Sequence, residues 1–195
     1  MSLKLLFYPE LVQVFYNNLQ IRDGVIFSEV HKIPIVVDQS LFYSLTKLSS
    51  QGIPFEGTLV DDWKHIYSTH DVRKMVCNEH ADMTGRLLTG SFTFECRIMH
   101  YILCRVLLPR STNLAQSSKE DLILLWALQI DRQIEWAHLV RYHMHKALRA
   151  NASLSYPHFV ILFLQHFNVP LEDEPFVKVK RSFAIGVDVV ASSRY

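Results

Sequence analysis

The sequence contains little cysteine, little glycine and almost no net charge. Its 195 residues include 3 Cys and 6 Gly, and 20 basic against 19 acidic side chains give a formal net charge of +1. Disordered chains are poor in aromatic residues and strongly charged, whereas 12% of these residues are aromatic. Proteins that coat nucleic acid or bind membranes through polybasic segments carry a large positive excess. Composition therefore predicts a globular domain and excludes these classes.

Long apolar runs and a secretory leader are also missing. The longest uninterrupted apolar run, Leu122–Leu128, is far shorter than the ~20 residues that a bilayer requires. The N-terminal apolar stretch contains Lys4 and reaches Pro9 at once, unlike a secretory signal. An odd, sparse set of cysteines is typical of free thiols in a reducing compartment: Cys77, Cys96 and Cys104. We expect an intracellular protein, cytoplasmic or nuclear, that is not secreted.

Apolar periodicity predicts mostly helices. The segment Val25–Val37, rich in β-branched residues, has His31-Lys32 at its centre and favours two short strands or a hairpin. The expected fold is therefore mainly α, a single helical domain over residues 1–195 with a small β-hairpin near the N-terminus. Residues 176–195 are predicted to be an extended tail, and the sequence permits a truncated C-terminus. Helical spacing or capping residues predict the helices at 10–19, 40–48, 69–78, 91–108, 122–130, 134–149 and 157–167.

The segment Ser91–Leu108 has a clear helical pattern, and Pro109 ends it. Its apolar face, which we expect to be buried, consists of Ile98, Met99, Ile102, Leu103 and Val106. The opposite face consists of Arg97, His100, Tyr101, Cys104 and Arg105. Further along, Ser118 and Asp121 have the spacing of a capping box before a buried helix.

Cysteine and histidine occur at spacings that could suit zinc. Cys96, His100 and Cys104 recur every four residues and so lie near one another along a helix. Zinc accepts thiolate and imidazole ligands in tetrahedral geometry. The candidate set is Cys77, His80, His100 and Cys104. The spacing matches no standard finger, and the alternative is buried thiols with an unrelated surface histidine, so no cofactor is expected.

A locally basic face is the candidate contact for phosphate or for an acidic partner. It consists of Arg141, His145 and Arg149 on one predicted helix and Lys178, Lys180 and Arg181 in the tail. The alternative is a solvated face balanced by Glu135. Because the net charge is so small, nucleic acid is only a weakly supported partner.

Catalytic motifs are lacking. The nucleophile motif Gly-x-Ser-x-Gly does not occur. The acidic residues show no trio of the kind that two-metal catalysis requires. We therefore expect no enzymatic activity, although a metal-dependent enzyme of transposition stays an alternative.

Two stretches of the second half resemble a known plant family, the plant transposon protein domain. They are Leu107–Ser111, which reads Leu-Leu-Pro-Arg-Ser, and the apolar Asp121–Trp126 that follows a polar spacer. Phe167–Glu172, which reads Phe-Asn-Val-Pro-Leu-Glu, is similar to the family's C-terminal motif, although Asn168 replaces a frequent glycine. Upstream, Phe15–Leu19 and residues 30–48 fit its N-terminal half, so the similarity covers about residues 10–175.

The resemblance implies a retroelement-derived plant protein without an established activity or catalytic residues. It favours a non-enzymatic structural or protein-interaction domain, comparable to a gag segment, that binds a protein partner or itself. The alternatives are a nucleic-acid-binding module of a transposable element and a decayed fragment with no selected function.

Overall fold

The structure, a computed structural model, describes residues 6–57, 68–82, 85, 87–108, 114–149 and 155–178. These residues form seven α-helices, a three-stranded antiparallel sheet and a separate pair of short strands. The prediction of a mainly α, single helical domain with a small hairpin is therefore wrong, because the fold mixes helices with two β elements. The sequence also predicts a turn of helix around Trp63, which lies outside the described residues.

The N-terminal sheet contains the predicted hairpin and one further strand. The hairpin pairs β3 (Val25–Val30) with β4 (Ile33–Val37), as predicted. Its turn residues His31 and Lys32 both have positive φ, 53° and 62°, which is the conformation of the tight turns that match the twist of paired strands.

The sequence analysis missed strand β2 (Gln20–Arg22), which pairs antiparallel with β3. The two strands are joined at Asp23 and Gly24, whose φ angles are +50° and +76°. An Asp-Gly pair between short strands is a strong hairpin signal, because both residues tolerate positive φ. This turn adds a third strand to the hairpin and so forms a three-stranded sheet.

The inner face of the sheet lies on helix α1 (Pro9–Asn17). Ile26 and Val30 of β3 are fully buried there, and the Ser28 hydroxyl donates to the Phe15 carbonyl over 2.8 Å. The first hydrophobic cluster also takes in helix α2 (Gln39–Thr46) and part of two later helices. Its large, fully buried side chains include Phe15, Tyr16, Phe42 and Phe163.

A second hydrophobic cluster forms around helices α3 (Thr69–Val76) and α5 (Lys119–Gln129). Helix α5 starts with the predicted capping box, in which Ser118 and Asp121 bond each other's backbone N–H. Its apolar residues are buried almost all round, as expected for a central helix.

Between α3 and α5, the predicted long helix is divided into three pieces. A 3₁₀ turn (Thr89–Ser91) precedes helix α4 (Phe94–Ile102), and a π turn (Leu103–Leu107) continues it. The Leu108 N–H donates to the Leu103 carbonyl, five residues back, over 2.7 Å. A π turn contains more residues than an α-helical turn, so it changes which side chains face inward.

The remaining helices are α6 (Trp136–Arg149) and α7 (Pro157–His166). Near the chain ends, β1 (Leu6–Phe7) pairs antiparallel with β5 (Val177–Lys178); residues 179–195 of the predicted tail lie outside the described part. In that part of the chain, no helix combines the length and the apolarity of a membrane span.

Candidate interaction surface on helix α4

Helix α4 is held at both ends by specific contacts. The Thr93 side chain accepts a hydrogen bond from the Cys96 N–H, which caps the first turn. At the far end, the Tyr156 hydroxyl donates to the Leu107 carbonyl over 2.6 Å. The cap starts the helix, and the Tyr156 bond ties the segment that follows it to the residue before helix Pro157–His166.

The inner face of this segment carries its sulfur and imidazole groups. Cys96, His100, Leu103 and Cys104 are all buried. Gln129, at the end of α5, donates from Nε2 to Cys96 Sγ over 3.2 Å. Helices α4 and α5 are therefore antiparallel, since His100 lies beside Asp121 at the start of α5.

A compact buried group forms where these helices meet. His100 Nε2 lies 3.1 Å from Asp121 Oδ2 and 3.4 Å from Cys104 Sγ. The exposed fractions of His100, Cys104 and Asp121 are 3%, 1% and 0%. With its proton on Nε2, the imidazole donates to the carboxylate, which also accepts the Ser118 N–H over 2.7 Å. The group thus connects α4 to the capped first turn of α5.

The geometry of this group does not suit nucleophilic catalysis. In a catalytic triad, the nucleophile and the carboxylate bond opposite nitrogens of the imidazole. Here Cys104 and Asp121 both approach Nε2, and burial leaves the thiol no access to a substrate.

The structure brings together only two of the four residues predicted to bind zinc. His100 and Cys104 come together, and their ligand atoms and one of Asp121 all lie within 4.8 Å of one another. Cys77 and His80 do not belong to that group. Structural zinc takes four protein ligands and catalytic zinc keeps an open position for water, whereas the described residues supply three buried ligands. The sequence analysis missed Asp121 because it read this residue only as part of a cap.

The predicted basic face does not form one exposed surface, because Arg141 is buried. Arg141 is only 5% exposed, its Nη2 donates to Glu135 Oε1 over 3.1 Å, and its guanidinium lies 5.4 Å from the Phe42 ring centroid. Burial is the main cause that lowers the Arg141 pKa, against which the Glu135 charge acts. His145 is partly buried. The side chains of Arg149 and Lys178, and all of Lys180 and Arg181, lie outside the described part of the chain.

Helix α4 and the π turn after it expose a row of apolar side chains. Phe94, Ile102 and Val106 are 42%, 37% and 37% exposed, and Ile98 between them is partly exposed. In an α-helix, each four-residue step advances the direction of a side chain by about 40°. The π turn contains more residues per turn, which turns Val106 back toward the direction of Ile98. We call these four residues the α4 stripe.

The burial of this segment differs in part from the expectation from its sequence. Of the five residues of the predicted apolar face, Leu103 alone is fully buried, whereas His100 and Cys104 of the opposite face lie inside. Arg97 and Arg105 of that opposite face are exposed. A buried Cys104 agrees with the tendency of free cysteine to lie inside, and the predicted surface position of the histidine is wrong. The contact with Asp121 then satisfies the imidazole.

Comparison with protein-family models, with curated proteins and with solved structures found no match. The resemblance to the plant transposon protein domain therefore stays a prediction from the motifs.

Proposed function

We propose that this chain is a non-enzymatic protein-interaction domain of a plant retroelement-derived protein, working inside the cell, in the cytoplasm or nucleus. The motif resemblance supports the origin. The observation that carries the mode of action is the α4 stripe, since a helix that buries His and Cys while exposing Phe, Ile and Val has a surface suited to another protein.

The partner that fits the α4 stripe is an apolar helix or strand with acidic neighbours. Arg105 is exposed beside the stripe, with its guanidinium 5.6 Å from the Tyr101 ring centroid. A carboxylate on the partner would therefore meet a positioned cation at the rim, while apolar side chains cover Ile98 and Ile102. Rim charges of this kind contribute mainly to specificity and association rate.

The proposed function is tested by affinity purification from plant cell extract with two matched variants. Ile102→Glu places a charge in the stripe, whereas Tyr43→Glu changes a similarly exposed side chain of helix α2. We expect a protein that the wild type and Tyr43→Glu retain and that Ile102→Glu loses. Hydrogen exchange on the reconstituted complex should then show new protection over residues 94–107.

The proposal fails if no protein depends on Ile102 while both variants unfold like the wild type. Salt-sensitive binding to nucleic acid that is independent of Ile102 would instead favour the alternative of a nucleic-acid-binding module.

A further inference from the structure

The outer face of the three-stranded sheet is apolar at its centre. Phe27 of β3 and Val36 of β4 are direct cross-strand partners and are 37% and 45% exposed. Pro34 and the partly buried Val25 point to the same side. An antiparallel sheet with one solvated face normally presents polar residues there, so this apolar centre requires an explanation.

Two opposite charges lie on either side of this centre. Arg22 pairs with Val25, and Glu29 pairs with Pro34. Side chains two positions apart on a strand share a face, so Arg22 and Glu29 lie on the same outer face as Phe27. They are displaced from it by two residues in opposite directions along the strands. Arg22, Phe27 and Glu29 are among the residues that line a groove of about 460 Å³, and Arg22 Nη2 donates to Oε1 of Gln20, the β2 partner of Phe27, over 2.6 Å.

We propose that this outer sheet face binds the same face of a second copy of the chain. The two copies are related by a twofold axis that lies in the plane of the interface, nearly perpendicular to the strands. Such an axis brings Phe27 of one copy against Phe27 of the other. It also reverses the direction along the strands, so Arg22 of each copy comes near Glu29 of the other. The face is thus complementary to itself, as a closed twofold interface requires.

The arrangement agrees with the known geometry of packed sheets. Facing sheets lie about 10 Å apart, a distance that the side chains of Arg and Glu can together span. Tilting the axis by roughly 20° moves each Arg22 over the opposing Glu29 and sets the strands of the two sheets about 40° apart, near the usual aligned packing angle.

The interface is small, so we expect a weak association. Three strands spaced by about 4.8 Å and about 17 Å long give a face much smaller than the roughly 800 Å² per partner of a standard interface. We therefore expect a concentration-dependent dimer with a dissociation constant on the order of 100 µM. This inference goes beyond the proposed function, because it concerns a different surface and a specified partner.

The first test measures the mass of the full chain by sedimentation equilibrium between about 5 and 500 µM. The wild type should change from monomer to dimer. Phe27→Glu should stay monomeric, whereas Ile102→Glu in the α4 stripe should dimerise like the wild type. Loss of dimer in Ile102→Glu alone would place self-association on α4 and overturn the inference about the sheet.

The second test exchanges the two charges. Arg22→Glu and Glu29→Arg each create two repulsive pairs and should weaken the dimer about tenfold. An equimolar mixture of the two single variants should recover wild-type affinity. In the mixed dimer, the carboxylate introduced in one copy meets the guanidinium introduced in the other, and the unchanged Arg22 meets the unchanged Glu29. A mixture as weak as its components would exclude the twofold arrangement.

A wild type that stays monomeric at the highest concentration would overturn the proposal. This result would not affect the proposed function, which depends on Ile102.

Discussion

His100 and Asp121 lie 21 residues apart in the sequence, and a 3.1 Å contact between Nε2 and Oδ2 joins them in the interior. The same carboxylate oxygen caps helix α5 through the Ser118 N–H. One side chain thus satisfies a helix terminus and a buried imidazole, and it holds the His100 side of α4 against the start of α5.

Replacing Asp121 should cost more stability than replacing an ordinary cap. Asp121→Ala removes the Asp121 half of the capping box and leaves the buried imidazole of His100 without its carboxylate, so we expect a loss of about 2–4 kcal/mol in the free energy of unfolding. Asp38→Ala is the matched control, because Asp38 caps α2 at an exposed position. Urea denaturation measures both, and equal losses would mean that the contact with His100 contributes nothing.

Removing metal should leave the stability unchanged. Three protein ligands are one fewer than a structural zinc site takes, and Asp121 Oδ2 already accepts hydrogen bonds. We expect purified protein to contain less than stoichiometric zinc and to keep its Tm in excess chelator. One zinc per chain, lost in His100→Ala and Cys104→Ala but kept in Cys77→Ser, would instead identify a metal site centred on Asp121.

Acid should destabilise the fold through His143. This residue is 9% exposed, and burial, followed by the nearby charge of Lys146, lowers its pKa to about 4. The His143 imidazole therefore takes up a proton near pH 6.5 in the unfolded chain, but only near pH 4 in the folded chain. Stability should fall as the pH drops through this window, by at most about 3 kcal/mol.

The variant His143→Gln should lack most of this acid-dependent loss, whereas His80→Gln, at an exposed position, should keep it. The measurement is the free energy of unfolding in urea at several pH values across the same window. A His143→Gln profile that falls as steeply as the wild type would contradict the assignment to His143.

Gly52 should not tolerate a side chain. Its φ is +115°, and a Cβ would lie 2.7 Å from backbone atoms of Gln133 and Ile134, where residue 53 bonds to the chain before α6. Gly52→Ala should therefore destabilise the protein by about 2–4 kcal/mol. Gly90→Ala is the control, since no atom lies within 4 Å of its Cβ, and its effect should stay within about 0.5 kcal/mol. Similar Tm values for the two variants would show that the chain near Gly52 rearranges easily.

Local signals in the sequence predicted the ends of several elements. Ser118 with Asp121 marks a helix start in the sequence because their side chains bond the backbone only three residues away. The turn at His31 and Lys32 was found because β-branched residues flank it. Strand β2 was missed although Asp23-Gly24 marks its turn, since three residues are too few for a periodic pattern.

The candidate surfaces could not be predicted in the same way. The contact of His100 with Asp121 joins residues of different helices, and no local pattern encodes it. The π turn depends on the Leu103–Leu108 hydrogen bond and on tertiary contacts around it. The position of Arg141 could not be predicted from local sequence either. Its charge favours a surface position, whereas its pairing with Glu135 and its packing on Phe42 hold it inside.

The π turn also constrains how this helix can change in length. Because a π turn holds one residue more than an α-helical turn, deleting one residue from Leu103–Leu107 would restore regular α-helical bonding and leave the chain beyond Leu108 in nearly the same direction. A deletion within the regular part of α4 would instead rotate everything beyond it by about 100° and carry the Leu107 carbonyl away from the Tyr156 hydroxyl that bonds it. Loss of one residue should therefore be accepted at this turn and rejected in the helix before it.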